Sequence, residues 1–168
     1  MRRLGIVVIL AFVVMFTGCV TCPQTPDISA CFSPNHCSVD LIKDIDGAGV
    51  SLDCMIYSLT SKDIVEAIYR AKSRGVTIRI IADKIQSAGR YSQIDELLAK
   101  GYKVKIMRGA HGGIMHNKVL IIDNVVLYTG SYNFTKGAEE NNYENLIRIT
   151  NSDIIKKYKA EMEKLWAK

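Results

Sequence analysis

Proline is scarce in this 168-residue chain, with three copies, and the twelve glycines are spread thinly. With 48% hydrophobic and 23% charged residues, that scarcity excludes a collagen, a linker or a disordered tail. Long apolar runs are nearly absent: only one occurs, at the N-terminus, which excludes a multispan membrane protein. Metal-knuckle spacing is missing as well. There is no pair of Cys-x2-Cys knuckles and no His-x3-His, so a structural zinc site is not expected, although His36 neighbours Cys37. Gly109, Gly112 and Gly113 lack the Gly-Lys-Ser/Thr ending of a Walker loop, and no internal repeat is present. What remains is globular composition at a length that suits one domain, with 22 Lys and Arg against 17 Asp and Glu. The formal charge of +5 is compatible with an anionic partner without identifying one.

The apolar run reads as an address. Arg2 and Arg3 precede the uncharged stretch Leu4 to Phe16, which is too short to cross a hydrocarbon core of about 30 Å comfortably. Thr17-Gly18-Cys19 supplies the small residues of a cleavage region. The tetrad Phe16-Thr17-Gly18-Cys19 also resembles a bacterial lipobox, with Phe16 in the place of the usual Leu. Lipidation of Cys19 and ordinary cleavage stay open, as does a retained anchor. Residues 1–18 are thus a signal peptide or lipoprotein signal, and export to the periplasm or outside, with membrane attachment through the N-terminus as a variant, is expected. Residues 19–30, holding Pro23 and Pro26, read as a linker, and residues 31–168 as the catalytic domain. In an oxidising compartment a disulfide could join Cys31 and Cys37 across their short loop, whereas Cys54, in an apolar strand, suits the core.

Within that domain, helix and strand alternate. Asp40–Ala48 is amphipathic, Val50–Leu59 is a β-type run, and Ser61 can cap a helix over 62–74 that Gly75 ends. Val76–Ala82 is nearly all apolar, a strand covered on both faces. A second helix over 91–100, closed by Gly101, leads to a short strand at 103–107 and a glycine-rich loop at 109–113. Strands at 118–122 and 125–128 flank Asp123-Asn124, a tight hairpin. A strand at 143–149 and an amphipathic helix at 152–166 close the chain. The expected fold is α/β, an α-β-α sandwich around a mixed β-sheet. Lys156, Lys157 and Lys159, interleaved with Glu161 and Glu163, read as the solvated face of the last helix.

The chemistry concentrates in two segments. In His116-Asn117-Lys118, period-two alternation puts the imidazole and the ammonium on one face at the mouth of an apolar strand. Asp123 has the opposite parity, and ordering the turn suits it better than touching a ligand. In Gly130-Ser131-Tyr132-Asn133, Ser131 and Asn133 share a face and both can donate hydrogen bonds. If the hairpin aligns the segments, one pocket collects His116, Lys118, Ser131 and Asn133: a nucleophile with several donors around an anion. His111, in its glycine-rich loop, is a weaker candidate for a local general acid.

The spacing His-x-Lys-x4-Asp-x6-Gly-Ser-x-Asn resembles the signature of the phospholipase D superfamily, matched without a gap and extended by Phe134-Thr135. The likeness reaches from Phe32-Ser33-Pro34 through Ser58-Leu59-Thr60-Ser61 to Glu144-Asn145. It is most similar to the small single-motif bacterial endonucleases of that superfamily, and mitochondrial nuclease-like members are similar too. The resemblance implies a phospholipase D/nuclease-like fold, with His116 as a nucleophile forming a phosphohistidine. It implies that Lys118 and Asn133 hold the phosphoryl oxygens, that Ser131 orders the pocket, and that Glu144 hydrogen-bonds the nucleophilic imidazole. Asp123 belongs to the signature and is carried with the set. No metal and no other cofactor is implied.

A second histidine must protonate the leaving oxygen, and one motif supplies only one. The expectation is therefore a homodimer in which His116 of each copy faces a shared phosphate. The first expected function is a metal-independent endonuclease acting on DNA, with RNA as a second nucleic acid substrate. Lys84, Arg90, Lys103, Lys105 and Arg108 would suit phosphate contacts. The alternatives are a phospholipase D-type lipid phosphodiesterase or phosphatidyl transferase, and a non-catalytic nucleic-acid-binding protein.

Overall fold

A computed structural model describes residues 27–168; the expected signal at residues 1–18, Cys19, Cys22 and most of the expected linker lie outside the described residues. The described chain runs β1 (Ile28–Ser33), α1 (Ser38–Gly47), β2 (Ser51–Ile56), α2 (Lys62–Ser73), β3 (Thr77–Asp83), α3 (Lys84–Ser87), α4 (Ile94–Ala99) and β4 (Lys103–Met107). It continues with β5 (Lys118–Ile122), β6 (Val126–Gly130), α5 (Lys136–Glu140), β7 (Glu144–Ile149) and α6 (Ser152–Trp166). The seven strands form one sheet in the order β1-β7-β6-β5-β2-β3-β4. Parallel pairing joins β2 to β3 and β3 to β4; the other neighbours pair antiparallel. The sheet is mixed, as expected.

Alternation along the central strands feeds two cores. Leu52, Cys54 and Ile56 of β2, with Ile78 and Ile80 of β3, pack against Leu41 and Ile45 of α1 and Ile64, Val65 and Ile68 of α2. On the opposite face Met55, Ile81, Val119, Ile121 and Leu127 meet Ile155, Met162 and Leu165 of α6. Each such buried aliphatic is worth roughly 1.5–3 kcal/mol, so helix layers on both faces are the stable arrangement for strands apolar on both sides. The α-β-α sandwich follows. Ser61 caps α2 by accepting from the Ile64 N–H at 3.5 Å, and Gly75 turns the chain out of it at φ +90°.

Four local expectations need correction. The linker reading runs to residue 30, but β1 begins at Ile28 and pairs along its length with β7, because the partner strand supplies the ladder that local composition does not signal. The short helices α3 and α5 are additions to the expected elements: they lack a long apolar period, and their caps, Asp83 and Thr135, make them. The helix expected over 91–100 is shorter, with α4 starting at Ile94. Finally, Lys159 and Glu163 are not a solvated face. Arg79 bridges the buried Asp53 (2.6 Å) and Glu163 (2.7 Å), and Lys159 also pairs with Asp53, locking α6 to the sheet. Cys31 and Cys37 form a disulfide between β1 and the start of α1, and Cys54 is a free, buried thiol whose pKa burial pushes up.

Candidate active site

Antiparallel pairing decides which strand ends meet. Ile56, the last residue of β2, lies opposite Lys118, the first of β5; Val119 lies opposite Thr129 near the end of β6; Gly130 faces Leu146 near the start of β7; and Ser33 of β1 faces Glu144. One edge of the sheet therefore gathers Tyr57, His116, Lys118, Ser131, Asn133, Glu144 and Ser33. Asp123 stands at the other end of β5. There its carboxylate accepts from the backbone N–H groups of Gly49 (2.8 Å), Val50 (2.8 Å) and Ser51 (2.7 Å). Asp123 and Asn124 both take positive φ in the hairpin turn, +52° and +57°. The signature's aspartate is brought to the turn and not to the site.

His116 is exposed and sits just before β5, while Lys118 is buried at 7% exposure. The Lys118 ammonium donates to the His116 carbonyl at 2.9 Å and lies 4.5 Å from the centroid of the Tyr57 ring. The same ring meets the His116 imidazole edge-on at 4.5 Å. Burial lowers the Lys118 pKa, and the nearby Glu144 carboxylate opposes that shift. One ammonium N–H is spent on a carbonyl, which leaves two for an anionic ligand.

Residues 131–135 are threaded between two loops. The Asn145 carbonyl accepts from Ser131 N (3.1 Å) and Tyr132 N (3.2 Å), and the Phe134 carbonyl accepts from Thr60 N and Ser61 N (3.0 Å each). Tyr132 and Phe134 point into the core, so Ser131 and Asn133 turn the other way, as alternation predicts. Gly130 is required there: at φ +151° an added Cβ would fall 2.2 Å from the Asn145 carbonyl oxygen. Asn133 Oδ1 is buried without a partner, so this amide keeps unfilled hydrogen-bonding capacity.

Glu144 is held tightly, though not by the histidine. Ser131 Oγ donates to it at 2.6 Å and Asn142 Nδ2 at 2.9 Å, and its own N–H donates to the buried Ser33 Oγ at 3.1 Å. No hydrogen bond joins Glu144 to His116 among the described residues, which corrects the expected contact. Each carboxylate oxygen accepts one hydrogen bond, from Ser131 and from Asn142. His111 lies exposed in the turn at 110–112 at φ +53°, with no hydrogen bond or ring contact to His116. Sequence reading missed Tyr57, Asn142 and Asn145. The signal for Tyr57 was its place directly after an apolar strand; the other two flank Glu144.

An open cleft of about 710 Å³ runs beside His116, lined among others by Arg108, Asn117, Glu161, Lys164 and Lys168. Among the proposed phosphate-contact residues, Arg108 lines it, whereas the Lys105 ammonium donates to the Trp166 carbonyl at 2.7 Å.

A family model described as the cardiolipin synthase PLD-like domain matches residues 41–166. The chain belongs to the phospholipase D superfamily. Among similar proteins, the phospholipase D of Rickettsia conorii is 35% identical over 132 residues, 78% of this chain and 65% of that protein. The mitochondrial cardiolipin hydrolase of Xenopus tropicalis is 34% identical over 116 residues, 69% of this chain and 54% of that protein. The chain therefore spans just under two thirds of the Rickettsia relative and about half of the Xenopus one. The crystal structure of the phospholipase D family member Nuc from Salmonella typhimurium superposes with a TM-score of 0.77 at 33% identity. That match covers 85% of this chain and 95% of Nuc. In this phospholipase D-family chain, the site edge and the signature residues fall together, apart from Asp123.

Proposed function

We propose that the chain is a metal-independent phosphodiesterase that cuts nucleic acid, DNA first and RNA second, through a covalent intermediate on His116. One observation carries this reading: an exposed imidazole stands beside a buried ammonium with donors to spare, and Ser131, Asn133 and Glu144 share their edge of the sheet. A His116 ring nitrogen attacks phosphorus, the bond from phosphorus to the leaving oxygen breaks, and that oxygen takes a proton. Water then attacks the phosphohistidine, giving up a proton as the nitrogen–phosphorus bond breaks. Lys118 and Asn133 stabilise charge on the phosphoryl oxygens throughout. In a metal-independent reaction the Lys118 ammonium and the Asn133 amide supply the charge stabilisation that a cation would otherwise give.

The proton donor is His116 of a second copy. His111 makes no hydrogen bond or ring contact with His116, and the edge carrying His116 faces solvent, so a two-fold pairing of these edges would supply the second imidazole. Nucleic acid is favoured over lipid by the open cleft lined by Arg108 and Lys168, beside Lys164 paired with Glu161 at 3.1 Å, which suits a polyanionic strand. Export belongs to the same proposal, supported by the Cys31–Cys37 disulfide, a bond that persists in oxidising compartments.

A lipid phosphodiester is the second reading. It is favoured by Phe32, 62% exposed, and Tyr143, 96% exposed, which flank Ser33 and Glu144 as apolar groups at the mouth of the site. The non-catalytic reading has no observation in its favour, since His116, Lys118, Ser131 and Asn133 of the signature lie together on one edge. Purified chain in excess EDTA should nick supercoiled plasmid and leave phosphatidylcholine and cardiolipin vesicles intact. Headgroup release without nicking would install the lipid reading, and nicking that requires Mg²⁺ would end the metal-free mechanism.

A further inference from the structure

Behind the reactive pair lies a set of contacts that the mechanism does not use. Asp83, fully buried at the end of β3, splits its carboxylate between two elements. Oδ1 accepts from Ile85 N (2.9 Å) and Gln86 N (3.0 Å), building the N-terminus of α3. Oδ2 accepts from the buried N–H of Met115 at 2.9 Å, one residue before His116. From α3, Gln86 Nε2 donates to the Tyr57 hydroxyl at 3.1 Å. The Tyr57 ring then closes the circuit, 4.5 Å from both the His116 ring and the Lys118 ammonium. Its backbone is tied in as well, with Tyr57 N donating to the Asn117 carbonyl at 2.8 Å, between the two reactive residues.

We propose that Tyr57 is a positioning residue that holds the His116 imidazole and the Lys118 ammonium in one register, with α3 as the brace that fixes its ring. The physical need is specific. The Lys118 stem is buried but ends in an ammonium with N–H groups left for a ligand, and His116 is exposed in a segment that precedes its strand, so its imidazole is not immobilised by packing on every side. An aromatic face attracts the ammonium, and its edge contact limits the tilt of the imidazole. The hydroxyl fixes the ring through Gln86; the ring itself does the positioning.

The assignment to catalysis rests on the phosphodiesterase reading, whereas the positioning of His116 does not, so two readouts separate them. The chain has three histidines, which makes the imidazole Hε1 resonances resolvable by NMR. The His116 resonance, identified by its loss in His116→Asn, should be displaced by the Tyr57 ring in the wild type, stay displaced in Tyr57→Phe, and return to the position of a free imidazole in Tyr57→Leu. With bis(p-nitrophenyl) phosphate as substrate, Tyr57→Leu should lower kcat about thirtyfold at little-changed KM, the size of one desolvated cation–π contact. Tyr57→Phe should stay within about twofold, because the ring contacts survive. Tyr57→Met, which keeps volume without a ring, carries the same expectation as Tyr57→Leu should that variant fail to fold. An unmoved His116 resonance in the folded ringless variant overturns the proposal, as does a Tyr57→Phe variant as impaired as the ringless one. Should the wild type turn over no phosphodiester, the phosphodiesterase reading falls while the NMR arm still decides the positioning.

Discussion

Ser131 Oγ donates a 2.6 Å hydrogen bond to Glu144 Oε2 while accepting from the Asn145 N–H at 3.1 Å. Its proton is committed to a carboxylate, and the hydroxyl clasps the end of β6 to the start of β7. A serine so placed orders the junction of β6 and β7, and because a hydroxyl beside a carboxylate is also the pairing of a nucleophile with a base, trapping decides between it and the His116 of the proposal. Acid quenching of a slow substrate should trap phosphate on His116. Ser131→Ala should still form that intermediate, at a rate lowered by roughly tenfold through loss of one hydrogen bond to a charged group. Phosphate trapped on Ser131 would reverse the assignment.

On the proposed reaction, Lys118 should set the alkaline limit of activity. Burial holds its pKa below the ordinary 10.5, and Glu144 works against that shift. The charged form grips phosphate, so kcat/KM should fall as pH rises through a midpoint below that of an ordinary lysine. Glu144→Gln removes the opposing charge and should move this limb to lower pH; Lys118→Arg should remove it from the accessible range. Stability carries the opposite sign: with the folded pKa depressed, the folded state gains as pH rises between the folded and unfolded values. A pH–rate profile with an unmoved limb in Glu144→Gln would dissociate the two charges.

Asp123 should matter for stability and not for turnover. Burial alone would raise its pKa, but three backbone N–H donors outweigh burial and hold it below 3.8. Its contribution is therefore present above the unfolded pKa and lost as pH falls through the folded one. Asp123→Ala should cost about 1–3 kcal/mol, from the amide groups it leaves unpaired. Denaturant unfolding measures that loss, and near-normal kcat beside it would separate the turn from the site.

A site shared by two copies makes a counting prediction. Wild-type and His116→Ala chains mixed equally, unfolded together and refolded should retain about a quarter of the activity of the same total amount of wild type, because only wild-type pairs are complete. General acid help is worth about 10²–10⁴-fold, so mixed pairs add little. Half the activity after confirmed subunit exchange would mean that each chain carries a complete site.

The Cys31–Cys37 disulfide closes the loop that carries Ser33, whose hydroxyl donates to the Asn142 carbonyl (3.0 Å) and accepts from Glu144 N (3.1 Å). Reduction should lower stability by about 2 kcal/mol, the cost of freeing a short loop in the unfolded chain. Urea unfolding with and without dithiothreitol tests this, with Cys31→Ser as the control.

Much of this was legible along the chain. The strands Lys118–Ile122 and Lys103–Met107 and the helix Ser152–Trp166 could be bounded from the sequence because their apolar periods are unbroken and their ends are marked. The spacing from His116 to Asn133 placed both on one side of their segments, since alternation is a local property of extended backbone. Asp123's parity likewise set it apart from the site before any contact was known.

What sequence could not decide was long-range. Whether Ile28–Ala30 is linker or strand depends on β7, near the far end of the chain, which supplies the hydrogen bonds. Whether Glu144 bonds His116 or Ser131 depends on a few ångströms of reach between strand ends, and there Ser131 and Asn142 are the side chains that donate to it. Tyr57 and Asp83 look like ordinary ends of strands until β5 is laid antiparallel beside β2, which brings Tyr57 against the reactive pair and Met115 against Asp83. Local sterics and side-chain period determined the elements and the two motif faces. Only sheet pairing, whose energy lies in contacts between distant segments, decided which strand ends share an edge and so assembled the site.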